Sequence, residues 1–238
     1  MSASGVCRKL QVAAGTAIIS LGLAGTAQAS AVLTFDTLGF SSGLVSWDGS
    51  GALVGSGITF DILEVAGSGA DGTFTCADCV LSFTSGPFVG SLGDIYAWGP
   101  GGAFAITGSI MDGATLVASG TLATGSFAGS ATPVTGTFAD NGDIEKLNVV
   151  GSGIDTKHED LVAYLGLTNP NFVFANTAIS ADDCLRPGEG EGFECTVENA
   201  DVTNTSTEAP VPEPGSLLLL GSGLLGLAGA ARRRLARK

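Results

Sequence analysis

Apolar and polar residues alternate in short runs through most of this chain, the period expected of half-buried strands. Val32-Leu33-Thr34-Phe35-Asp36 is the first such run, followed by Leu44 to Trp47 and Gly57 to Val65. Gly72 to Cys76 and Val80 to Thr84 flank a Cys76-Ala77-Asp78-Cys79 step. From Ala103 to Met111 strict alternation places Phe104, Ile106 and Ile110 on one face, with Asp112-Gly113 as the turn that follows. Leu116 to Ala118, Val134 to Phe138 and Glu145 to Val150 continue the series. Between the last two, Asn141-Gly142 predicts a two-residue type I′ hairpin, because both residues accept positive φ. Asn171 to Ile179 and Phe193 to Val202 complete the strands.

One segment has the helical signature. Thr156-Lys157-His158-Glu159 fits the S/T-x-x-E capping box, Asp160 adds a second acid to the first turn, and Leu161, Val162 and Leu165 make a short apolar face. Gly166 supplies the stop. Asp201 to Ala209 is rich in Thr, Ser and Asn, has no core pattern, and reads as a linker. The expected fold is mainly β: a single β-sandwich-like domain over residues 30–200 with one short helix, then a linker over 201–210.

The two ends differ from this body. Arg8 and Lys9 precede an apolar stretch from Leu10 to Leu23, and Ala27-Gln28-Ala29 forms an A-x-A site before Ser30. Residues 1–29 therefore read as a secretory signal peptide, cleaved after Ala29 and engaging Sec-type export machinery, with Ala29-Ser30-Ala31 as a second possible site. At the other end, Pro210-Val211-Pro212-Glu213-Pro214-Gly215-Ser216 stops any helix and holds the backbone extended. An apolar stretch follows, carrying Leu217, Leu218, Leu219, Leu220, Leu224, Leu225 and Leu227. Gly215 to Ala231 is 17 residues, or about 25 Å of helix, near the lower limit for crossing a hydrocarbon core of about 30 Å. It reads as a single, marginal transmembrane helix. Arg232, Arg233, Arg234, Arg237 and Lys238 then keep the end cytoplasmic and the body outside, by the positive-inside rule.

Val211-Pro212-Glu213-Pro214-Gly215-Ser216, followed by Leu217-Leu218-Leu219-Leu220 and ending in Arg232-Arg233-Arg234, resembles the PEP-CTERM sorting signal of Gram-negative, exopolysaccharide-producing bacteria. The resemblance covers residues 211–238 and implies that Pro212, Glu213 and Pro214 are read by a membrane-embedded exosortase. That enzyme would cut near the motif and release the body to the surface or hand it to an acceptor. The implied course is an inner-membrane-anchored precursor with a periplasmic body, then a product at the cell surface or in the extracellular matrix. The resemblance speaks to sorting and leaves the activity of residues 30–209 open.

Charge narrows the partners of that body. Residues 30–209 hold 22 acidic residues against Lys146, Lys157 and Arg186, a net charge of −19 beside −13 for the whole chain. A body this acidic repels nucleic acid and anionic lipid. Without Cys7, which leaves with the signal peptide, four cysteines remain for an oxidising compartment. Of three possible connectivities, the most economical pairs Cys76 with Cys79 and Cys184 with Cys195.

Candidate chemistry is sparse. His158 is the one histidine and sits in a polar first turn, and no G-x-S-x-G elbow accompanies it. Two acidic runs, Asp140-Asn141-Asp143-Glu145 and Asp182-Asp183-Glu189-Glu191-Glu194, offer oxygens for calcium but miss the EF-hand pattern. Trp47, Tyr96 and Trp98 are candidates for a sugar-stacking platform, with core packing as the competing account. The expectation is a non-enzymatic envelope or extracellular-matrix protein associated with exopolysaccharide and biofilm, needing no cofactor or metal. Its partners would be an exosortase, the export machinery, the inner membrane and extracellular polysaccharide. A glycan- or calcium-binding β-module is the alternative.

Overall fold

A computed structural model of the chain describes residues 30–140, 145–184 and 191–207, all within one compact unit. Strand formation follows the alternation: β1 (Val32–Asp36), β2 (Leu44–Trp47), β3 (Val54–Ala66), β4 (Gly72–Thr84), β5 (Phe88–Leu92), β6 (Ile95–Trp98) and β7 (Gly101–Asp112) come first. β8 (Thr115–Phe127), β9 (Val134–Asp140) and β10 (Glu145–Lys157) follow, then the helix α1 (Glu159–Tyr164), β11 (Asn171–Cys184) and β12 (Phe193–Ser206). In β1 the pattern is plain, with Leu33 and Phe35 buried and Val32, Thr34 and Asp36 turned partly outward.

The expected two-sheet sandwich is not what forms. All twelve strands among the described residues belong to one antiparallel sheet, and its pairings close on themselves. β3, β4, β7, β8, β10, β11 and β12 pair in succession, and β1 then joins β12 back to β3 through Val32↔Thr205 and Val32↔Ala66. β2 fills the same position further along, between Phe193–Thr196 of β12 and Val54–Ser56 of β3. The result is an up-and-down barrel of eight strand positions. Bulges at Gly55/Ile58, Phe60/Ile62 and Ala77/Val80 give the long strands the local twist that tight closure needs.

Inside, one continuous apolar core includes Leu63, Leu81, Ile106, Leu122, Leu147, Phe172 and Phe174. Outside, Glu64, Thr73, Thr75, Glu194 and Thr196 face solvent. No helix among the described residues is long and apolar enough to cross a membrane.

Each mouth of the barrel is covered differently. At one, α1 packs its buried Leu161 and Val162 inward, while Gly69 N–H of the β3–β4 turn donates to Leu165 C=O at 2.9 Å and Tyr164 Oη donates to Asp112 at 2.5 Å. The helix begins two residues later than the capping box implied. Thr156 and Lys157 still belong to β10, with Lys157 N–H donating to Pro170 C=O, so His158 becomes the cap and its Nδ1 accepts from Asp160 N–H at 3.2 Å. Gly166, at φ +69°, ends the helix as expected. Its N–H bonds to Ala163 C=O and Leu167 N–H to Val162 C=O, a Schellman closure.

At the opposite mouth, β9 pairs with the first half of β10 while β8 keeps the second half, and β6 and β5 extend outward from β9. The predicted hairpin is present in its arms but not in its register. Asp140 stands opposite Glu145, leaving four residues between the paired ends, where a two-residue Asn141-Gly142 turn requires Asp140 opposite Asp143. The turn itself lies outside the described residues.

The linker expected from Asp201 is also corrected: β12 continues to Ser206, with Val202, Asn204 and Ser206 buried. A bulge at Glu198-Asn199 reverses which parity faces inward, and two of the three inward residues are polar, so no apolar pattern marked the strand.

Both disulfides join neighbours, Cys76 to Cys79 and Cys184 to Cys195. The first closes the β4 bulge, where Asp78 sits at φ 52°. The second ties the end of β11 to the start of β12 across a separation of 11 residues. Replacing Cys184 and Cys195 together by serine should cost about 2.5–3 kcal/mol through the freed unfolded chain. A thermal melt of the oxidised protein and the double variant checks this; an unchanged melting temperature would show the bridge contributes nothing.

Candidate functional site

The alternation that builds β10 runs inward through Leu147, Val149, Gly151, Gly153, Asp155 and Lys157, so a carboxylate and an ammonium end up in the barrel interior. Both side chains are fully buried and form an ion pair with each other. Lys157 Nζ lies 5.7 Å from the centroid of Phe35 and 5.1 Å from that of Phe172. Asp155 Oδ1 has no partner among the described residues. Burial pushes the Lys157 ammonium below its ordinary range and the Asp155 carboxyl above its own; each partner's charge opposes the shift and loses to desolvation. Asn204, also wholly buried, donates to Val202 C=O at 3.0 Å and Leu33 C=O at 3.4 Å, while its Oδ1 has no partner among the described residues. Sequence reasoning placed Lys157 on a solvated helix turn and missed Asp155. Carrying the inward parity of Leu147 and Val149 eight residues further would have found both.

The aromatic candidates gather at the mouth opposite α1 and face inward. Trp98 is fully buried and Trp47 nearly so. Trp47 packs at 4.7 Å from Phe88, 5.8 Å from Phe193 and 6.0 Å from Trp98, with Tyr96 at 5.6 Å from Phe138. These rings join β5, β6 and β9 to β2 and β12, so they are core and present no stacking platform. His158 serves as a helix cap. The cysteine pair at 76 and 79 is bridged and buried.

Of the acidic runs, Asp182 accepts from Lys146 at 3.0 Å and Glu198 accepts from the same ammonium at 2.9 Å, which raises the Lys146 pKa, Glu198 contributing most. Among the described residues no three carboxylates, histidines or cysteines converge as a metal ion would require. Part of each run lies outside the described residues.

The body begins and ends at the same mouth, the one covered by α1. Ala31 N–H donates to Ser206 Oγ at 2.9 Å, and Ser206 N–H returns a bond to Ala31 C=O at 2.8 Å. Thr207 Oγ1 then donates to Asn171 C=O at 3.1 Å. Pro212 lies five positions after Thr207, a reach of at most about 17 Å.

The residues that sequence reasoning assigned to sorting all lie outside the described residues. They are Ala27 and Ala29 of the cleavage site, Pro212, Glu213 and Pro214 of the motif, the anchor leucines 217–220, 224, 225 and 227, and the basic residues 232–234, 237 and 238. Residues 210–234 match the family model of the PEP-CTERM protein-sorting motif. No curated protein and no solved structure matches the chain. The motif implies an exported protein with an exosortase as its processing partner.

Proposed function

We propose that this chain, which carries a PEP-CTERM sorting motif at residues 210–234, is a non-enzymatic envelope or extracellular-matrix protein. In this reading the barrel is the delivered material and the tail is its address. The sorting motif carries the proposal: its match begins at residue 210, four positions after β12, the last described strand, ends at Ser206.

The precursor would leave through a Sec-type route, have its signal peptide removed near Ala29, and rest in the inner membrane by its C-terminal apolar segment. There the exosortase would read Pro212-Glu213-Pro214. The weak span suits this task, because a segment near the lower length limit holds the body temporarily and can be given up. The body's −19 charge keeps it dispersed in a hydrated polymer and repels nucleic acid. Association with exopolysaccharide and biofilm matrix belongs to the same proposal. The non-enzymatic reading draws support from three groups: the one histidine is a helix cap, the CxxC pair is bridged, and the buried Asp155–Lys157 pair faces the packed core.

Substituting Glu213 by alanine, or Pro214 by alanine, should leave the uncut precursor in the inner-membrane fraction and reduce the released body to background. Immunoblotting of membrane, surface and medium fractions reads this directly. Normal release of both variants would overturn the sorting reading while leaving the fold untouched.

A further inference from the structure

We infer that the outer edge of β5 is a self-association surface, and that its partner is β5 of a second copy of this chain. Among the described residues β5 pairs on one side only, with β6, and it ends the strand order of the sheet. Its remaining N–H and C=O groups form a template for another strand. Proteins usually guard such an edge with lysine or another charge, and Phe88-Val89-Gly90-Ser91-Leu92 has none.

The exposure there is apolar: Leu92 is 84% accessible, Val89 61% and Ile95, its neighbour on β6, 47%. Continuing across Ala97 and Thr135, the outer face reaches exposed Val150 on β10 without meeting a charged side chain.

Charge identifies the occupant. Two copies of a −19 body repel over most of their surfaces. Between Asp78 and Asp112, however, Asp94 is the one charged residue of the sequence. The β5 edge is thus where a second copy can approach with least repulsion, whereas a basic partner would find its attraction elsewhere. The orientation follows from the same residue. A parallel pairing sets the two Asp94 side chains next to each other. An antiparallel, two-fold pairing puts them at opposite ends of the five-residue ladder, at least about 17 Å apart and beyond a screening length of about 8 Å. Such an interface is isologous and closes as a dimer, continuing β10–β9–β6–β5 of one copy into the same four strands of the other.

Light scattering on the detergent-solubilised full chain, with the detergent subtracted, tests this against two sets of variants. Wild type and Leu116→Lys, a charge on an exposed residue of β8, should both have twice the chain mass. Val89→Lys and Leu92→Lys should have half that mass with unchanged melting temperatures. Independently, Ser91→Cys, which the Gly90-centred ladder sets a short step from its counterpart in the second copy, should become a covalent dimer with a bismaleimide cross-linker, and Leu116→Cys should not. A monomeric wild type overturns the inference. So does a dimer that survives both edge lysines, as one held by the apolar tail would, or equal cross-linking at positions 91 and 116.

Discussion

Asp155→Ala should destabilise the body by about 3–5 kcal/mol, the largest effect of any single polar substitution in the barrel, because it strands a buried ammonium without its counter-ion. With a domain of this size that is a fall in melting temperature on the order of 10 °C. Lys157 lies against Phe35 and Phe172 with no exposed side-chain surface, so its ammonium cannot turn out to bulk solvent when its partner is lost.

The contrast with the double variant Asp155→Leu/Lys157→Met carries the physical content. Removing both charges together removes both desolvation costs, and the variant should be as stable as wild type or more stable. The pH dependence has a defined sign. The folded Lys157 pKa lies below its unfolded value, so the unfolded chain binds the proton more readily and wild type gains stability as pH rises towards the ordinary lysine range. The folded Asp155 pKa lies above its unfolded value, so wild type also gains as pH falls towards the ordinary carboxylate range. The advantage of the double variant is therefore expected to be widest near neutrality. Denaturant melts across pH read it, and a single variant no less stable than the double would refute a buried pair.

Gly153→Ala is expected to cost about 3 kcal/mol, the upper part of the range for overpacking. Gly153 lies between Phe127 of β8 and Phe174 of β11, and a Cβ there would stand 2.1 Å from Ser126 C=O and 2.5 Å from the Phe174 ring. A ring can tilt away, but a carbonyl engaged in the β8–β10 ladder moves only with its strand. Phe174 is itself wedged 4.8 Å from Phe104 and 5.7 Å from Phe127, which limits even the tilt. Gly151→Ala is the control: its nearest obstacle is the Phe127 ring edge at 3.0 Å, so its penalty should be markedly smaller. Equal melting temperatures for the two variants would show that close approach at Gly153 does not constrain the barrel.

Much of this fold is legible residue by residue, because a strand with one face in a core must alternate. β1, the centre of β3, both halves of β4 and the middle of β7 are visible in that way. What alternation does not encode is the partner of each strand. Leu33 and Phe35 alternate in a barrel as they do in a sandwich, and it is the simultaneous pairing of Val32 with Thr205 and Ala66 that distinguishes them. The second half of β8, Ser119 to Ser126, was invisible for another reason: its inward residues include Ala123 and Gly125, small enough to receive aromatic rings from neighbouring strands and too small to register as a pattern.

Candidate chemistry divided in the same way. The disulfides were readable because each cysteine had a close neighbour, and the sorting tail was readable because its parts occur in linear order. The Asp155–Lys157 pair was not, since two charges two residues apart before a helix look like surface until the strand is known to continue through them.

The hydrogen bonds that stitch Ala31 to Ser206 have a consequence for maturation. Every described strand of the barrel lies within residues 32–206, so a cut anywhere in the motif beyond removes none of them. Tethered precursor and severed product should then unfold along superimposable curves, and scission would spend its free energy on relocation alone.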